Sequence, residues 1–495
     1  MKTRYYHGHF YTLNESQPTV DEVWVEDGKI IHLGHHPIWR AQRSIDLHGW
    51  MGLPGFVDAH LHILGYGEKL TLLQLNKSTD KNAILKKIQQ HLTSPFLYAQ
   101  GHLEQNLSKI DLDRLSSTIP ILLRHADYHG ATVNQVLLNR IGLHHHPTGI
   151  LHEAEAMAAV QSIPKYSKSE LTMMIVKAIK TLQAFGITGG HSDDLFYFNG
   201  FKETLEAFED ALKIVPFRTH LLIHHLELTN FLESKRPWLN QNPYLQLGAI
   251  KTFYDGTISS QTAWMTQPYQ HSKQFGERQF SLQDWEALLV RIRQAGLPIA
   301  IHTIGDQALD EVADWLAKHP VKVGLHDRII HASFAKLSTL DKLKKLPLIF
   351  DIQPQFMSSD LPWALAMISP KTELIYPWKH YQQSQLVLCG SSDAPVEIPN
   401  PLFGIKAAYL RISDHNQQVY QPEEKLSMLD AVKLYTIGAN TPTYDLAHRG
   451  TLQVGNLADF TFFDQDFLKD EKKLATTSVM MTIIDNQIVY QKSNQ

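Results

Sequence analysis

The sequence predicts an α/β fold, a (β/α)8 TIM-type barrel with a small β-sandwich module formed from both chain termini. Three observations lead there. Short apolar strands alternate with amphipathic helices through the middle of the chain, the signature of a parallel sheet. Eight such strands can be drawn, and eight βα units close into a barrel. Strand-like segments at the two ends fall outside that series.

The strands, in order, are Phe56–His62, Ile187–His191, Arg218–His224, Leu247–Phe253, Pro298–His302, Arg328–Ser333, Leu348–Gln353 and Leu386–Asp393. Helical stretches such as Leu282–Ala295, Ala308–Lys318 and Ser338–Lys345 lie between them. The segment from Gly65 to about Lys165 interrupts the alternation after the first strand, with strands of its own at Phe96–Gln100 and Ile121–His125 and a helix at Asp80–Leu92. It reads as an insertion over the barrel mouth that shapes the substrate pocket. Residues 1–53 and 445–495 are assigned to the β-module, and 54–444 to the barrel with its insertion at about 65–165. Tyr5–Leu13 is read as one strand. Val23 to Leu33 is read as a hairpin turning at Asp27-Gly28, and Met480–Tyr490 as another turning at Asp485-Asn486.

Composition narrows the function. The 495 residues are 43% hydrophobic, enough for a large core. The 46 basic and 50 acidic residues are intermixed, with a net charge of -4, which argues against a nucleic-acid or membrane surface. No segment approaches the roughly 18 apolar residues of a membrane span. A single cysteine, Cys389, excludes a disulfide framework and fits a reducing cytoplasm. Cys389 lies in an apolar run, where a packed thiol is the expectation. A homodimer is the expectation by frequency alone.

The most informative stretch is Pro54-Gly55-Phe56-Val57-Asp58-Ala59-His60-Leu61-His62. A strand points alternate side chains the same way, so His60 and His62 project together from its end. Two imidazoles on one rigid edge make half a site for a divalent metal. With 28 histidines, His-x-His should arise about once or twice by chance, so spacing alone is weak. His7/His9 and His144/His146 share that spacing, but only His60/His62 follows a Pro-Gly turn and closes an apolar strand.

Other polar outliers fall at later strand ends. Lys251 stands on the fourth, His302 on the fifth, His331 on the sixth and Asp393 at the eighth. Neutral imidazoles and a carboxylate suit zinc, in a site that leaves one position open to water. Zinc lowers the pKa of such a water towards 7, and a neighbouring carboxylate can pass the proton to a leaving nitrogen.

Together these segments resemble the amidohydrolase superfamily, most closely its YtcJ-like (amidohydrolase type 3) branch. The resemblance runs through Pro54–His62, Gly186-Ile187-Thr188, Lys251–Ala263, His302–Asp306, His331-Ala332, Gly390–Glu397, Asn400-Pro401-Leu402 and Gly450–Asp459. It implies that His60, His62, His302, His331 and Asp393 are metal-binding and catalytic positions, with Asp393 as general acid/base. It implies for Lys251 a carboxylated lysine bridging two metals; the alternative is an unmodified cation paired with Asp255 or a substrate carboxylate. The implied cofactor is zinc, one or two per chain, or another divalent metal. The chain departs from the branch at Ser259 (usually Gly), Gln261 (usually Arg) and Ile330 (often acidic), which bears on substrate identity.

The expected function is metal-dependent hydrolysis of a non-peptide, amide-type C–N bond in a small molecule, by metal-bound hydroxide. The alternatives are an esterase, lactonase or phosphoesterase on the same site, and a non-catalytic metal- or ligand-binding protein. His125, His191, Asp255 and Asp306 are candidate substrate contacts, and His102 and His129 belong to the same histidine-rich surroundings.

Overall fold

The computed structural model describes residues 1–493 apart from 76–78, 94, 104–106, 126–129 and 240–241. Two compact units emerge: Met1–Tyr66 with Ile175–Gln495, and Gly67–Met174.

In the first unit, eight parallel strands follow one another around a nearly closed barrel. They are Phe56–Leu61, Ile187–Ser192, Arg218–His224, Leu245–Phe253, Ile299–Thr303, Asp327–His331, Leu348–Ile352 and Val387–Gly390. The predicted order holds. Each pairs with its neighbours in sequence, as in the Ile301 to Ile329 register. Most are buried along their whole length, which is why they read as continuous apolar runs. Helices such as Leu282–Gln294, Asp306–Lys318 and Leu337–Leu343 pack between them. The first of these starts where the Ser281 side chain accepts the Asp284 N–H.

The ladder leaves one seam, between the eighth strand and the first. Backbone bonds close it: Asp393 N–H donates to the His60 carbonyl (2.8 Å), and His62 N–H to that of Ala394 (2.7 Å). Asp393 is therefore not an extension of the eighth strand, which ends at Gly390. Its φ of 54° turns the chain across the barrel towards the first strand.

Both chain ends contribute to a six-stranded sheet, in which Met51–Pro54 pairs with His9–Tyr11 on one side and Phe460–Phe463 on the other. A four-stranded sheet lies beside it, and Tyr5, Phe10, Val25, Phe460, Phe462 and Ile483 share one core. Tyr5–Leu13 is not one strand. Thr3–Tyr6 and His9–Tyr11 belong to different sheets, because His7, at φ 53°, breaks the extended run. Both hairpins do turn where expected. Asp27-Gly28 and Asp485-Asn486 all have positive φ, the conformation that matches strand twist in a two-residue turn.

The second unit carries a five-stranded sheet that includes Leu97–His102 and Ile121–His125, and the helix Lys81–His91. Asp80 caps that helix by accepting the Asn82 and Ala83 N–H groups. Among the described residues, no helix is long and apolar enough to cross a membrane.

Candidate metal centre

The seam brings the first-strand histidines to Asp393. His60 Nε2 and His62 Nε2 each lie 3.5 Å from Asp393 Oδ1. One donor atom from each residue falls within 4.8 Å of the others. A separation of 3.5 Å is long for a hydrogen bond. It matches neighbouring ligands on a tetrahedral ion, which stand about 3.4 Å apart at ordinary zinc bond lengths.

The remaining imidazoles join this group through the barrel. The ring centroid of His331 is 6.0 Å from that of His60 and 4.5 Å from that of His302. Their outward bonds set the tautomers, since a carbonyl can only accept. His62 Nδ1 donates to the Asp193 carbonyl (2.9 Å), so Nε2 is the nitrogen that faces Asp393. His331 Nδ1 donates to Gln353 Oε1 (2.7 Å), which frees Nε2. His302 donates from Nε2 to the Gly256 carbonyl (3.1 Å), so its free lone pair is on Nδ1. Gln353 is held by its own amide, which donates to the Asp351 carbonyl and to Ser391 Oγ.

Burial keeps His60 and His302 far below the usual imidazole range and brings His331 to about 4, so all three are neutral ligands. His62 differs. Burial lowers it, but Asp393, Asp194 and Asp193 outweigh that and hold it up to about 9. A place where three carboxylates favour a proton also favours a metal cation. Asp393 itself is pushed up by burial, but His62 and His331 reverse this and keep it ionised. His331, Ala332 and Asp393 all have positive φ, so the backbone is strained where these groups meet.

Lys251 is buried on the fourth strand. Its Nζ lies 2.9 Å from Asp193 Oδ2, so its carboxylate partner is Asp193 and not Asp255. Both Asp255 oxygens are taken by backbone: Ile304 N–H donates to Oδ1, and Gly305 and Trp264 N–H to Oδ2. Burial raises Asp255 to about 7 against the pull of these donors. Asp306 accepts the Thr266 and Gln307 N–H groups. His191 lies inside the barrel, where its Nδ1 accepts from Arg328 (3.2 Å) and its ring packs on His220. Asp255 and Asp306 are thus held by backbone N–H groups, and His191 by Arg328 through Nδ1. His125 lies in the other unit, beside Thr132 Oγ1 (2.8 Å) and His102. His129 lies outside the described residues.

Three participants were not singled out from the sequence. Asp58 accepts the His60 and Ser392 N–H groups and the Ser392 hydroxyl. A carboxylate inside an apolar strand was the available signal. Asp193, in the Ser-Asp-Asp run after the second strand, meets both His62 and Lys251. Gln353 carries no local signal.

Residues 43–490 match the sequence profile described as the amidohydrolase family. The chain belongs to that family. It is 33% identical to YtcJ of Bacillus subtilis (strain 168), with 100% of each chain covered. It is 20% identical to the N-substituted formamide deformylase of Arthrobacter pascens, over 97% of both chains. An uncharacterized metal-dependent hydrolase from Pyrococcus furiosus shares the fold at a TM-score of 0.81 and 22% identity, covering 94% of this chain and 99% of that one. As an amidohydrolase, the protein is a hydrolase.

Proposed function

We propose that this amidohydrolase is metal-dependent and cleaves a non-peptide, amide-type C–N bond in a small molecule. The observation that carries this is the convergence of His60, His62 and Asp393, with the ring of His331 next to that of His60 and the ring of His302 next to that of His331. A divalent ion, zinc by donor chemistry, would be held by these residues and supply Lewis acidity there. The name of the Arthrobacter pascens relative supports a C–N bond over an ester.

Asp393 is the proton carrier. Its ionised carboxylate takes a proton at Oδ1 or Oδ2 from the attacking water and returns it to the leaving nitrogen. The Asp393 N–H to His60 carbonyl bond fixes its distance from the first strand. Asp193 and Gln353 orient His62 and His331 by accepting their Nδ1 protons. Lys251 has two roles to decide between. As a carbamate it would add an anionic ligand for a second ion; as an ammonium it pairs with Asp193 Oδ2 at 2.9 Å beside a single ion.

The test is elemental analysis of protein purified without chelator, alongside a panel of chromogenic amides and esters. Two zinc per chain support the carbamate, and one supports the ammonium. Faster ester than amide turnover would replace the C–N assignment with an esterase. No bound metal, and no hydrolysis after zinc addition, would return the protein to a non-catalytic binding role.

A further inference from the structure

Between the first two barrel strands the register slips. Asp58 pairs with Gly190 and Leu61 with Ser192, so Ala59 and His60 together stand opposite His191 alone. Two residues facing one make a β-bulge, which bends its strand and re-aims the side chains that follow. Here the bulge lies where the first strand delivers His60 and His62.

A bulge takes backbone groups out of the ladder, and buried ones need other partners. Asp58 accepts the His60 N–H at 3.2 Å. The Ala59 carbonyl accepts from inside the barrel, where Arg328 Nη2 donates to it at 2.6 Å. The same nitrogen donates to Nδ1 of His191, the residue that faces the bulge, at 3.2 Å. Burial and the charge of Arg328 keep His191 far below the usual imidazole range, so its Nδ1 can accept.

Arg328 reaches further. It stands on the sixth strand, which ends at His331, and its Nε donates to Asp351 Oδ2 (2.9 Å) on the seventh. Two residues beyond Asp351, Gln353 accepts the Nδ1 proton of His331. One buried guanidinium thus joins the strand of His60 and His62, the strand of His331 and the segment that orients His331. A planar fork of donors can do this; a lysine has a single nitrogen for all three acceptors. Arg218 makes the contrast. It is as buried and as well paired, but its side chain donates to Asp459 and the Pro243 carbonyl, neither of which lies on a strand that bears an imidazole of the group.

Resting on the metal centre proposed above, we infer that Arg328 is a positioning residue for that centre. It pins the bulge at Ala59 and His60 from inside the barrel and so fixes where His60 and His62 point.

The test sets Arg328→Lys beside Arg218→Lys, the same change at two buried arginine–aspartate pairs. Zinc affinity is read by competition with a metallochromic chelator, and ligand geometry by the visible absorption of cobalt(II)-loaded protein. Arg328→Lys should weaken zinc binding roughly 10- to 100-fold, as for other groups that orient ligands, and alter the cobalt spectrum. Arg218→Lys should leave both unchanged. His191→Ala should weaken zinc binding several-fold, and His191→Asn, which offers an acceptor oxygen near the position of Nδ1, should restore it. The His191 pair decides if either lysine variant does not fold. Wild-type affinity and spectrum in Arg328→Lys, equal losses in the two lysine variants, or equal losses in His191→Ala and His191→Asn overturns the inference. Wild-type protein that binds no zinc overturns the metal centre and this inference together. Zinc binding without turnover counts against the hydrolase alone, since the affinity ratios still decide the role of Arg328.

Discussion

Asp58, on the first barrel strand, accepts two hydrogen bonds from Ser392, just past the eighth: 3.1 Å from the backbone N–H and 2.6 Å from the hydroxyl. The same carboxylate accepts the His60 N–H at 3.2 Å. One buried side chain thus ties the strand carrying His60 and His62 to the turn carrying Asp393, across the barrel seam.

Asp58→Ala should loosen that tie. The expected result is a 10- to 100-fold loss of metal affinity, as for other groups that orient ligands. Asp58→Asn, which keeps an acceptor for the N–H groups, should recover part of it. Competition with a metallochromic chelator measures both; an unchanged affinity in Asp58→Ala would show that the seam holds without this contact.

Asp393→Asn keeps the size of the side chain but removes its capacity to carry a proton. Turnover should fall below detection while metal stays bound by the four histidines. Retained kcat in a metal-loaded variant would remove Asp393 from the proton-carrying role.

Arg218 and Asp459 form a buried two-bond pair, at 2.8 and 2.9 Å, between the third barrel strand and the segment leading to the C-terminal strands. Arg218→Ala would leave the buried Asp459 without its ion-pair partner, with only the Asp485 N–H and the charge of Arg449 to offset it, destabilising the fold by about 3 kcal/mol. Denaturant unfolding should show that loss. Metal content should not change, because neither group touches the imidazoles.

Glu311 accepts hydrogen bonds from Arg278, Tyr254, Trp264 and Gln307. Burial raises its pKa, but Arg278 and these donors bring it down to about 2. A pKa depressed in the folded state stabilises fully above the unfolded carboxylate value and loses that stability as pH falls towards 2. Glu311→Gln should therefore lower Tm most at pH 6 and progressively less towards pH 3. A Tm difference independent of pH would contradict this.

The barrel strands were legible because each is a short apolar run between helical patterns, and their order around the barrel follows their order in the chain. The strand-end ligand candidates were legible for a related reason. Alternation puts His60 and His62 on one face, and polar residues ending apolar strands stand out. Asp58 and Ser392, 334 residues apart, were not legible as partners, since no local pattern encodes a bond across the seam.

The sequence alone determined the family, the barrel and which side chains stand at the strand ends. Tertiary structure decided which nitrogen of His62, His302 and His331 is free, because that depends on which carbonyl or amide faces the other one. It also paired Lys251 with Asp193 instead of Asp255, whose oxygens the backbone had already taken. Local periodicity sets where a side chain points; its partner is set by the register and turns of segments far away in the chain.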